Sequence, residues 1–294
     1  MSVQRLRQLL ATPDRLIKLV AAHDAMGARL AEAAGFDGVW ASSLEIATSQ
    51  GLPDSGLLSL TDLLGPAAAM AQAVGVSVVA DCDTGFGGEM HVCHLVRRYE
   101  AAGVAGVCIQ DSQFPKLNSL LDVAHRLAPI EEFVGKLRMA VASRRASGLL
   151  IIARVEALIA GAGQAEALRR ARAYADAGVD AVLIHSRSRS ADEILQFVGA
   201  WDHAAPLVLV PTTYYSLDVP AIKRTGKVRI VIYANQGMRA EIAALKRVFR
   251  QILDDGSSQQ AEPWIAGLDE VFALQRLRPV GEKLPGEVET NTKE

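Results

Sequence analysis

One stretch decides the fold: Glu100-Ala101-Ala102-Gly103-Val104-Ala105-Gly106-Val107. Its pattern of a helix end, a glycine and an apolar run returns at residues 32–39 and 176–182. Glycine just past the last helical residue is the usual helix C-cap, because it adopts the left-handed backbone conformation at low cost. Each copy therefore predicts a helix that ends at the glycine and a buried strand that begins directly after it.

Short apolar runs that fit buried strands recur along the whole chain. They cover residues 16–22, 38–42, 76–83, 103–111, 149–156, 181–186, 207–212 and 230–235. Helical patterns separate them, and eight strands that alternate with helices predict a parallel (β/α)₈ TIM barrel. An open doubly wound sheet is the alternative, which a count of eight strands disfavours. We predict a single barrel domain with C-terminal helices over residues 1–280 and a solvated tail over residues 281–294.

Length and composition exclude several classes of protein. The chain has 294 residues, of which 50% are hydrophobic, and a net charge of −2, which suits one cytosolic α/β domain. Its basic residues are scattered, which argues against a nucleic acid partner. We see no signal peptide and no apolar run of membrane-spanning length. The three cysteines lack paired Cys-x-x-Cys spacing, so we expect reduced thiols, no zinc site and a cytoplasmic location.

The stretch Asp81-Cys82-Asp83-Thr84-Gly85-Phe86-Gly87 places two carboxylates where an apolar run ends. Residues two apart on a strand share a face, and Mg²⁺ prefers oxygen ligands while it keeps several water molecules. One carboxylate can therefore bind a metal ion directly and the other through water. Mn²⁺ accepts the same ligands. The alternative is an ordinary turn after a strand, which the residues Asp-Thr-Gly also form.

Polar residues gather at the carboxyl ends of the predicted strands. They are Ser42, Asp81, Asp83, Gln110, Asp111, Arg154, Glu156, His185, Thr212 and Asn235. In a barrel these ends meet at one mouth, where active sites form. Arg154 offers a planar fork for phosphate or carboxylate, and His185 offers a donor or a proton carrier. A structural interpretation stays open for some of them, since Glu156 could merely pair with Arg154.

The loop after the fourth predicted strand contains Gln113-Phe114-Pro115-Lys116-Leu117-Asn118-Ser119 and is long enough to act as a lid. Lys116 and Asn118 are its candidate site residues. Taken alone, Lys116 is best interpreted as a solvated surface lysine.

Six motifs together carry a resemblance to a known family. They are Val39-Trp40-Ala41-Ser42-Ser43, the stretch at residues 81–87, Phe114-Pro115-Lys116-Leu117-Asn118-Ser119, Ala153-Arg154-Val155-Glu156-Ala157, Leu183-Ile184-His185-Ser186 and Val210-Pro211-Thr212. Over nearly its whole length the chain resembles the phosphoenolpyruvate mutase and isocitrate lyase superfamily, most closely its mutase and phosphonopyruvate hydrolase branch. The lyase members are disfavoured, because they carry a catalytic cysteine in the loop where this chain has Pro115-Lys116-Leu117-Asn118.

The resemblance implies a barrel that exchanges its last helix with a neighbour in a homodimer or homotetramer. It also implies a bound Mg²⁺ and a three-carbon phospho-acid substrate. For the metal ion it assigns Asp81 as direct ligand and Asp83, Asp54 and Gln110 as ligands through water. For the substrate it assigns Ser42 and the amide of Ser43 to the carboxylate, Arg154, His185 and Asn118 to the phosphoryl group, Lys116 to closing over the site, and Trp40 and Asp81 to substrate binding. The catalytic residues that it implies are Asp54, Lys116, Asn118, Arg154 and His185.

The implied activity is the mutase reaction, which moves phosphorus from the enol oxygen of phosphoenolpyruvate to carbon 3 and gives phosphonopyruvate for phosphonate biosynthesis. Asn118 matches the mutase pattern Phe-Pro-Lys-x-Asn-Ser, where the hydrolase has threonine, so the mutase is favoured over phosphonopyruvate hydrolase. An oxaloacetate-type enzyme of the same superfamily is a more distant alternative. A catalytically silent barrel that binds a phospho-acid is the alternative of another class.

Gln110-Asp111-Ser112 departs from the Glu-Asp-Lys pattern that the family usually shows at this place. Gln110 can still accept a hydrogen bond through its carbonyl oxygen, but it brings no negative charge. We therefore expect a metal affinity that differs from the family norm.

Overall fold

The structure, a computed structural model, describes residues 2–145 and 148–275. The chain divides into two compact units, Met1–Ile242 and Ala243–Glu294. The predicted tail at residues 281–294 lies outside the described residues. A single domain over residues 1–280 and the exchange of the last helix between subunits both stay predictions.

Eight parallel strands close into a barrel in the order β1 to β8. Their bounds are β1 Ile17–Ala22, β2 Gly38–Ala41, β3 Ser77–Asp81, β4 Gly106–Gln110, β5 Leu150–Val155, β6 Ala181–Ile184, β7 Leu207–Leu209 and β8 Val228–Tyr233. Each strand pairs with the next one along the chain, and β8 returns to pair with β1. The predicted TIM barrel is therefore confirmed, and the open sheet is excluded because the barrel is closed.

Helices precede, connect and follow the strands. Their bounds are α1 Ser2–Ala11, α2 Ala25–Ala33, α3 Ser43–Ser49, α4 Leu60–Ala73, α5 Glu89–Ala101, α6 Ile130–Ser143, α7 Gly163–Asp176, α8 Asp192–Ala200, α9 Val219–Arg224, α10 Gln236–Asp255 and α11 Leu268–Gln275, with a 3₁₀ turn at Glu262–Trp264. Among the helices of the described residues, none combines the length and the apolar character that a membrane crossing needs.

The glycines of the repeated stretch end their helices as predicted. Gly35, Gly103 and Gly178 have φ angles of 85°, 82° and 90°, the left-handed region that favours glycine. After α2, the backbone N–H of Phe36 donates to the carbonyl oxygen of Ala31 at 3.2 Å, as in a Schellman cap. The cap satisfies orphan carbonyls and turns the chain from each helix into the following strand.

Strand residues alternate between two apolar layers. On β5, Leu150 and Ile152 belong to the cluster inside the barrel, whereas Ile151 and Ala153 pack in the cluster beneath the helices. Fully burying a leucine or isoleucine side chain contributes about 1.5–3 kcal/mol, so both layers stabilise the barrel. Trp40 of β2 joins the inner cluster and is 3% exposed. The inner core therefore reaches up to the mouth.

Seven of the eight strands are shorter than predicted, and β8 begins and ends two residues earlier than predicted. At β3 and β7 the residues beyond the strand end shape the mouth. The run at residues 76–83 is a strand only to Asp81, because Asp83 takes a left-handed conformation with φ of 48°. The run at residues 207–212 is a strand only to Leu209. Pro211 follows, which has no N–H to donate to a sheet, and the Thr212 N–H donates to the Val210 carbonyl oxygen at 2.8 Å.

Candidate active site

The carboxyl ends of the strands enclose a cavity of about 50 Å³. The sequence-predicted residues that line it are Trp40, Ser42, Asp54, Asp81, Gln110, Lys116, Asn118, Arg154 and His185. Ser43 and Asp83 line a neighbouring pocket that shares Asp54 with the cavity. The structure therefore brings the whole predicted set together. One water molecule needs about 10–15 Å³ by such a measure, so the cavity suits a small ligand.

Asp81 is the last residue of β3, and Asp83 follows two residues later. Asp81 is 7% exposed, and its Oδ1 accepts a hydrogen bond from the Asp83 backbone N–H at 3.2 Å. Burial raises the pKa of Asp83 to about 6, although the nearby Lys116 ammonium works in the opposite direction. Since that pKa is below 7, the carboxyl of Asp83 is mainly ionised at neutral pH.

Lys116 reaches from the lid into the mouth and is 4% exposed. Its Nζ lies 2.5 Å from Asp54 Oδ1 and 2.6 Å from Asp83 Oδ1, and it donates to Ser43 Oγ at 3.1 Å. Burial acts to lower the pKa of Lys116, but the carboxylates of Asp83 and Asp54 outweigh it and the pKa is raised. The lysine is therefore a buried cation, and its interpretation as a solvated surface residue is wrong, because the lid folds inward.

Asn118 holds the lid in place through hydrogen bonds from the nitrogen and to the oxygen of its side-chain amide. Its Nδ2 donates to Asp54 Oδ2 at 2.7 Å, and its Oδ1 accepts from the Leu120 backbone N–H at 3.0 Å. At the base of the lid, Ser112 and Leu127 form an antiparallel bridge. The lid, residues 112–128, is therefore held at its base by backbone pairing and at its tip by Asn118 and Lys116.

Arg154, the residue before the end of β5, is the centre of a polar cluster. Its Nε donates to Glu156 Oε1, two residues further along the same face. Its Nη2 lies 2.8 Å from both Ser119 Oγ and His185 Nδ1. Its Nη1 lies 3.6 Å from Asp81 Oδ2. The guanidinium thus links the carboxylates at the ends of β3 and β5 with the lid and with the residue after β6.

The cluster fixes the charges of its members. Burial acts to raise the pKa of Glu156, but the Arg154 guanidinium beside it outweighs burial and the pKa is lowered, so this carboxylate is ionised. Burial lowers the pKa of His185, and the Arg154 charge adds to that effect, so the imidazole is neutral at pH 7. His185 Nδ1 lies 2.8 Å from Arg154 Nη2 and 3.3 Å from Glu156 Oε1. Because the guanidinium can only donate and its contact is the shorter one, we assign Nδ1 as an acceptor and the imidazole proton to Nε2. His185 can therefore offer an N–H to a ligand.

Ser119 and Asp111 also belong to the cluster, although the sequence analysis assigned no role to either. Ser119 is 4% exposed and donates to Glu156 Oε2 at 2.7 Å. Asp111 is fully buried and accepts from the Glu156 backbone N–H at 2.8 Å and from the Tyr174 hydroxyl at 2.7 Å. Ser119 stands in the lid motif, which was a usable signal. Tyr174 lies on α7, where helical periodicity predicts burial and says nothing of a polar partner.

Asp81 and Asp83 offer carboxylate oxygens and Gln110 offers an amide oxygen, which suit a hard cation such as Mg²⁺. Within residues 2–145 and 148–275, no group of three or more His, Cys, Asp or Glu side chains is placed to hold a metal ion. A metal ion at Asp81 would therefore take water and ligand oxygens for its other positions, as Mg²⁺ commonly does. Asp54 has one oxygen against Lys116 and the other against Asn118.

The cysteines take no part in the cavity. Cys82, Cys93 and Cys108 are buried and free of disulfides. Burial raises the pKa of the Cys82 and Cys108 thiols well above the ordinary value, so neither is a thiolate nucleophile. The arrangement points away from cysteine chemistry and toward a small anionic ligand held by Arg154, His185 and Lys116.

Comparison with known proteins agrees with this geometry. A family model described as phosphoenolpyruvate phosphomutase matches residues 6–253. The chain is 45% identical over 270 residues to the phosphonopyruvate hydrolase of Variovorax sp. (strain Pal2), which covers 90% of this chain and 93% of the relative.

Two solved structures share the whole architecture. The crystal structure of phosphoenolpyruvate phosphomutase from Streptomyces platensis subsp. rosaceus has a TM-score of 0.91 and 49% identity, over 94% of this chain and 95% of that one. A phosphonopyruvate hydrolase in complex with oxalate and Mg²⁺ has a TM-score of 0.88 and 43% identity, also over 94% and 95%. The chain therefore belongs to the phosphoenolpyruvate mutase family of enzymes, within the phosphoenolpyruvate mutase/isocitrate lyase superfamily.

Proposed function

We propose that the protein is a Mg²⁺-dependent phosphoenolpyruvate mutase that interconverts phosphoenolpyruvate and phosphonopyruvate. The observation that carries the proposal is the closed lid, in which Asn118 and Lys116 bind Asp54 above the Arg154–His185 cluster. The reaction transfers a phosphoryl group within one molecule, so it requires a cavity that water does not enter. Family membership and the mutase-type motif around Asn118 support the same function.

The phosphoryl group is the part of the substrate that we assign to Arg154, His185 and Asn118. In the mutase direction the P–O bond breaks and its electron pair stays on the enol oxygen, while electrons of the carbon–carbon double bond form the new bond from carbon 3 to phosphorus. The transferred group is loose and metaphosphate-like in such reactions, so positioned donors are what it needs. The Arg154 guanidinium and the His185 Nε2–H supply them on one side, and the Asn118 amide lies in the lid above.

The pyruvate part is assigned to the opposite side of the cavity. Ser42 Oγ accepts from the Glu45 backbone N–H at 3.3 Å as the N-cap of α3, which leaves its hydroxyl proton to donate to a substrate carboxylate. The Ser43 backbone N–H follows at the first residue of α3. Lys116 joins Ser43 to Asp54 and Asp83 and keeps these groups in place.

A bound Mg²⁺ would supply Lewis-acid stabilisation of negative charge on the pyruvate oxygens. Asp81 would bind the ion directly, and Asp83 and Gln110 would bind its water molecules. Both carboxylate oxygens of Asp54 already contact Lys116 and Asn118, which limits its share in binding metal-bound water. We therefore assign Asp54 chiefly to holding the lid. The Mg²⁺ and oxalate of the related hydrolase structure support a hard cation beside a small dicarboxylate-like ligand.

Phosphonopyruvate hydrolysis to pyruvate and phosphate is the second candidate function. The similarity to the Variovorax hydrolase favours it. The same groups would hold the phosphoryl group, and a water molecule would attack phosphorus in place of the enol carbon. The two functions therefore differ in whether the closed lid admits water.

The test is ³¹P NMR of the purified protein with Mg²⁺ and phosphonopyruvate. A phosphoenolpyruvate resonance as first product supports the mutase, and inorganic phosphate as first product establishes the hydrolase instead. If neither appears while calorimetry detects ligand uptake with Mg²⁺, the protein is a binding barrel and both enzyme proposals fail. Asp81→Asn, purified in the same way, is the matched control, and it must abolish the signal if the signal comes from this site.

A further inference from the structure

We infer that Gln110 and Ser112 act as one neutral unit, in which the Ser112 hydroxyl sets the orientation of the Gln110 amide and thereby tunes the affinity of the cavity for a divalent cation. The inference rests on the proposed function, since it takes Asp81 as the place of the metal ion. Gln110 and Ser112, the two departures from the family pattern, then act as a single change.

The contact between the two side chains is direct. Gln110 ends β4, lines the cavity and is 2% exposed. Its Nε2 donates to Ser112 Oγ at 2.9 Å. A side-chain amide has a donor end and an acceptor end. With the nitrogen held by Ser112, the carbonyl oxygen Oε1 is the end that Gln110 presents to the cavity, where it can accept from water on a cation.

Ser112 is held in place by the base of the lid. It is 8% exposed and forms a backbone bridge with Leu127. The neighbouring Ala128 N–H donates to the Asp111 carbonyl oxygen at 2.8 Å. Because these contacts belong to the base and not to the tip of the lid, the hydroxyl keeps its position beside Gln110 while Lys116 and Asn118 close or open.

The absence of charge on Gln110 and Ser112 affects how strongly the cavity attracts a cation. Asp54, Asp81 and Asp83 already bring three carboxylates to this side of the mouth, and Lys116 neutralises part of that charge. A fourth carboxylate at position 110 would draw a cation more strongly, whereas the neutral amide leaves the site less negative. A charge at one of the two positions would lack an opposite charge on its direct hydrogen-bond neighbour, whereas opposite charges at both positions would pair. The two positions are therefore expected to be coupled.

The first experiment measures Mn²⁺ binding to the full-length apoprotein by electron paramagnetic resonance. Ser112→Ala frees the amide, so its Kd should rise about tenfold, the usual effect of removing a group that orients a metal ligand. Ser112→Thr keeps the hydroxyl and should stay within about twofold of wild type. Thermal unfolding of each variant checks that the fold is retained.

An unchanged Kd for Ser112→Ala, with normal binding by wild type, overturns the orienting role and leaves the proposed function intact. If wild type itself binds no Mn²⁺, the metal assignment of the proposed function fails and the inference fails with it.

The second experiment compares Gln110→Glu, Ser112→Lys and the double variant. We expect Gln110→Glu to bind Mn²⁺ more tightly than wild type, and each single variant to lower Tm by about 3 °C or more. The double variant should recover most of that loss. Strictly additive Tm changes would show that the two positions are independent, which contradicts the inference even if Mn²⁺ binding behaves as expected.

Discussion

Arg154 contacts Glu156, Ser119 and His185 at once through a planar fork of N–H groups, and the point charge of an ammonium does not reproduce that fixed geometry. We therefore predict that Arg154→Lys lowers kcat/KM by about 100-fold or more, the usual cost of a lost donor to a developing charge. The rate of phosphorus transfer followed by ³¹P NMR measures it. The control is Arg169→Lys, whose side chain is 63% exposed and pairs on the helix surface with Glu166. Retention of a tenth of the activity by Arg154→Lys would contradict the assigned role.

His185 makes stability depend on pH in a definite direction. Its pKa in the folded chain lies below the ordinary 6.5, so the unfolded chain takes up the proton first as the pH falls. Its contribution is fully present above about pH 6.5 and is lost as the pH falls through the folded value. The stability advantage of wild type over His185→Asn should therefore shrink from pH 8 to pH 5, by at most about 1.4 kcal/mol per pH unit. Urea unfolding at each pH tests this, and a constant difference refutes it.

The strand-end residues could be predicted from sequence because each follows an apolar run whose direction in a barrel is known. The contacts among them could not. Lys116 meets Ser43 across 73 positions of sequence, and Asn118 meets Asp54 across 64. Such pairs depend on how the lid folds over the mouth, which local patterns do not encode. The same reason explains why Lys116, with the appearance of a surface lysine, is buried.

In the proposed function the lid excludes water from the substrate, so we expect mutase and hydrolase to differ at its tip. Threonine at position 118 is shorter than asparagine and has no amide N–H for Asp54. We predict that Asn118→Thr raises the ratio of inorganic phosphate to phosphoenolpyruvate formed from phosphonopyruvate, because water enters more often. ³¹P NMR gives the ratio directly. Gln113→Thr, an exposed change in the same loop, is the control, and an equal ratio in both variants would exclude this role for Asn118.

Strands β4 and β5 and helix α7 are tied together beneath the site by Asp111. This buried carboxylate accepts from the Glu156 N–H, from Tyr174 and from Arg170. Tyr174→Phe removes a hydrogen bond to a charged group, so we predict a loss of about 1.5–3 kcal/mol in the free energy of unfolding by urea. Tyr215→Phe, at an 83% exposed residue, should change it by less than about 0.5 kcal/mol. Equal effects of the two changes would mean that Asp111 does not need the hydroxyl.

The second unit presents many apolar side chains to solvent. On residues 243–275 they are Leu245, Phe249, Ile252, Leu253, Trp264, Ile265, Leu268, Val271 and Phe272. Exposed apolar surface of this extent marks an interface, and we expect a second copy of the chain to cover it in the homodimer or homotetramer predicted from sequence.

Light scattering should therefore give at least twice the chain mass of 31.4 kDa. Phe249→Asp should lower it, whereas Lys246→Asp on the same helix should not. A wild-type mass of one chain would refute the prediction.

The barrel fold was the feature of the molecule that the sequence predicted best. The same local rule, a glycine cap followed by an apolar run, acts at Gly35, Gly103 and Gly178, and parallel strands joined by helices have few other ways to bury both faces. Strand lengths were less predictable, since Asp83 and Pro211 end β3 and β7 early for reasons of backbone conformation and missing N–H groups.

The pairing of Arg154 with Glu156 has a further consequence for how an anion enters and leaves. Arg154 and Glu156 carry opposite charges beside a neutral imidazole, and the Asp81 carboxylate lies 3.6 Å from the same guanidinium, so this part of the cavity has no excess of positive charge. In the proposed function we therefore expect a phosphoryl group to be held by directed N–H groups and not by a strong positive potential, so that its binding responds weakly to ionic strength. We expect such a site to recognise shape more than charge and to release its product without having to overcome a deep electrostatic well.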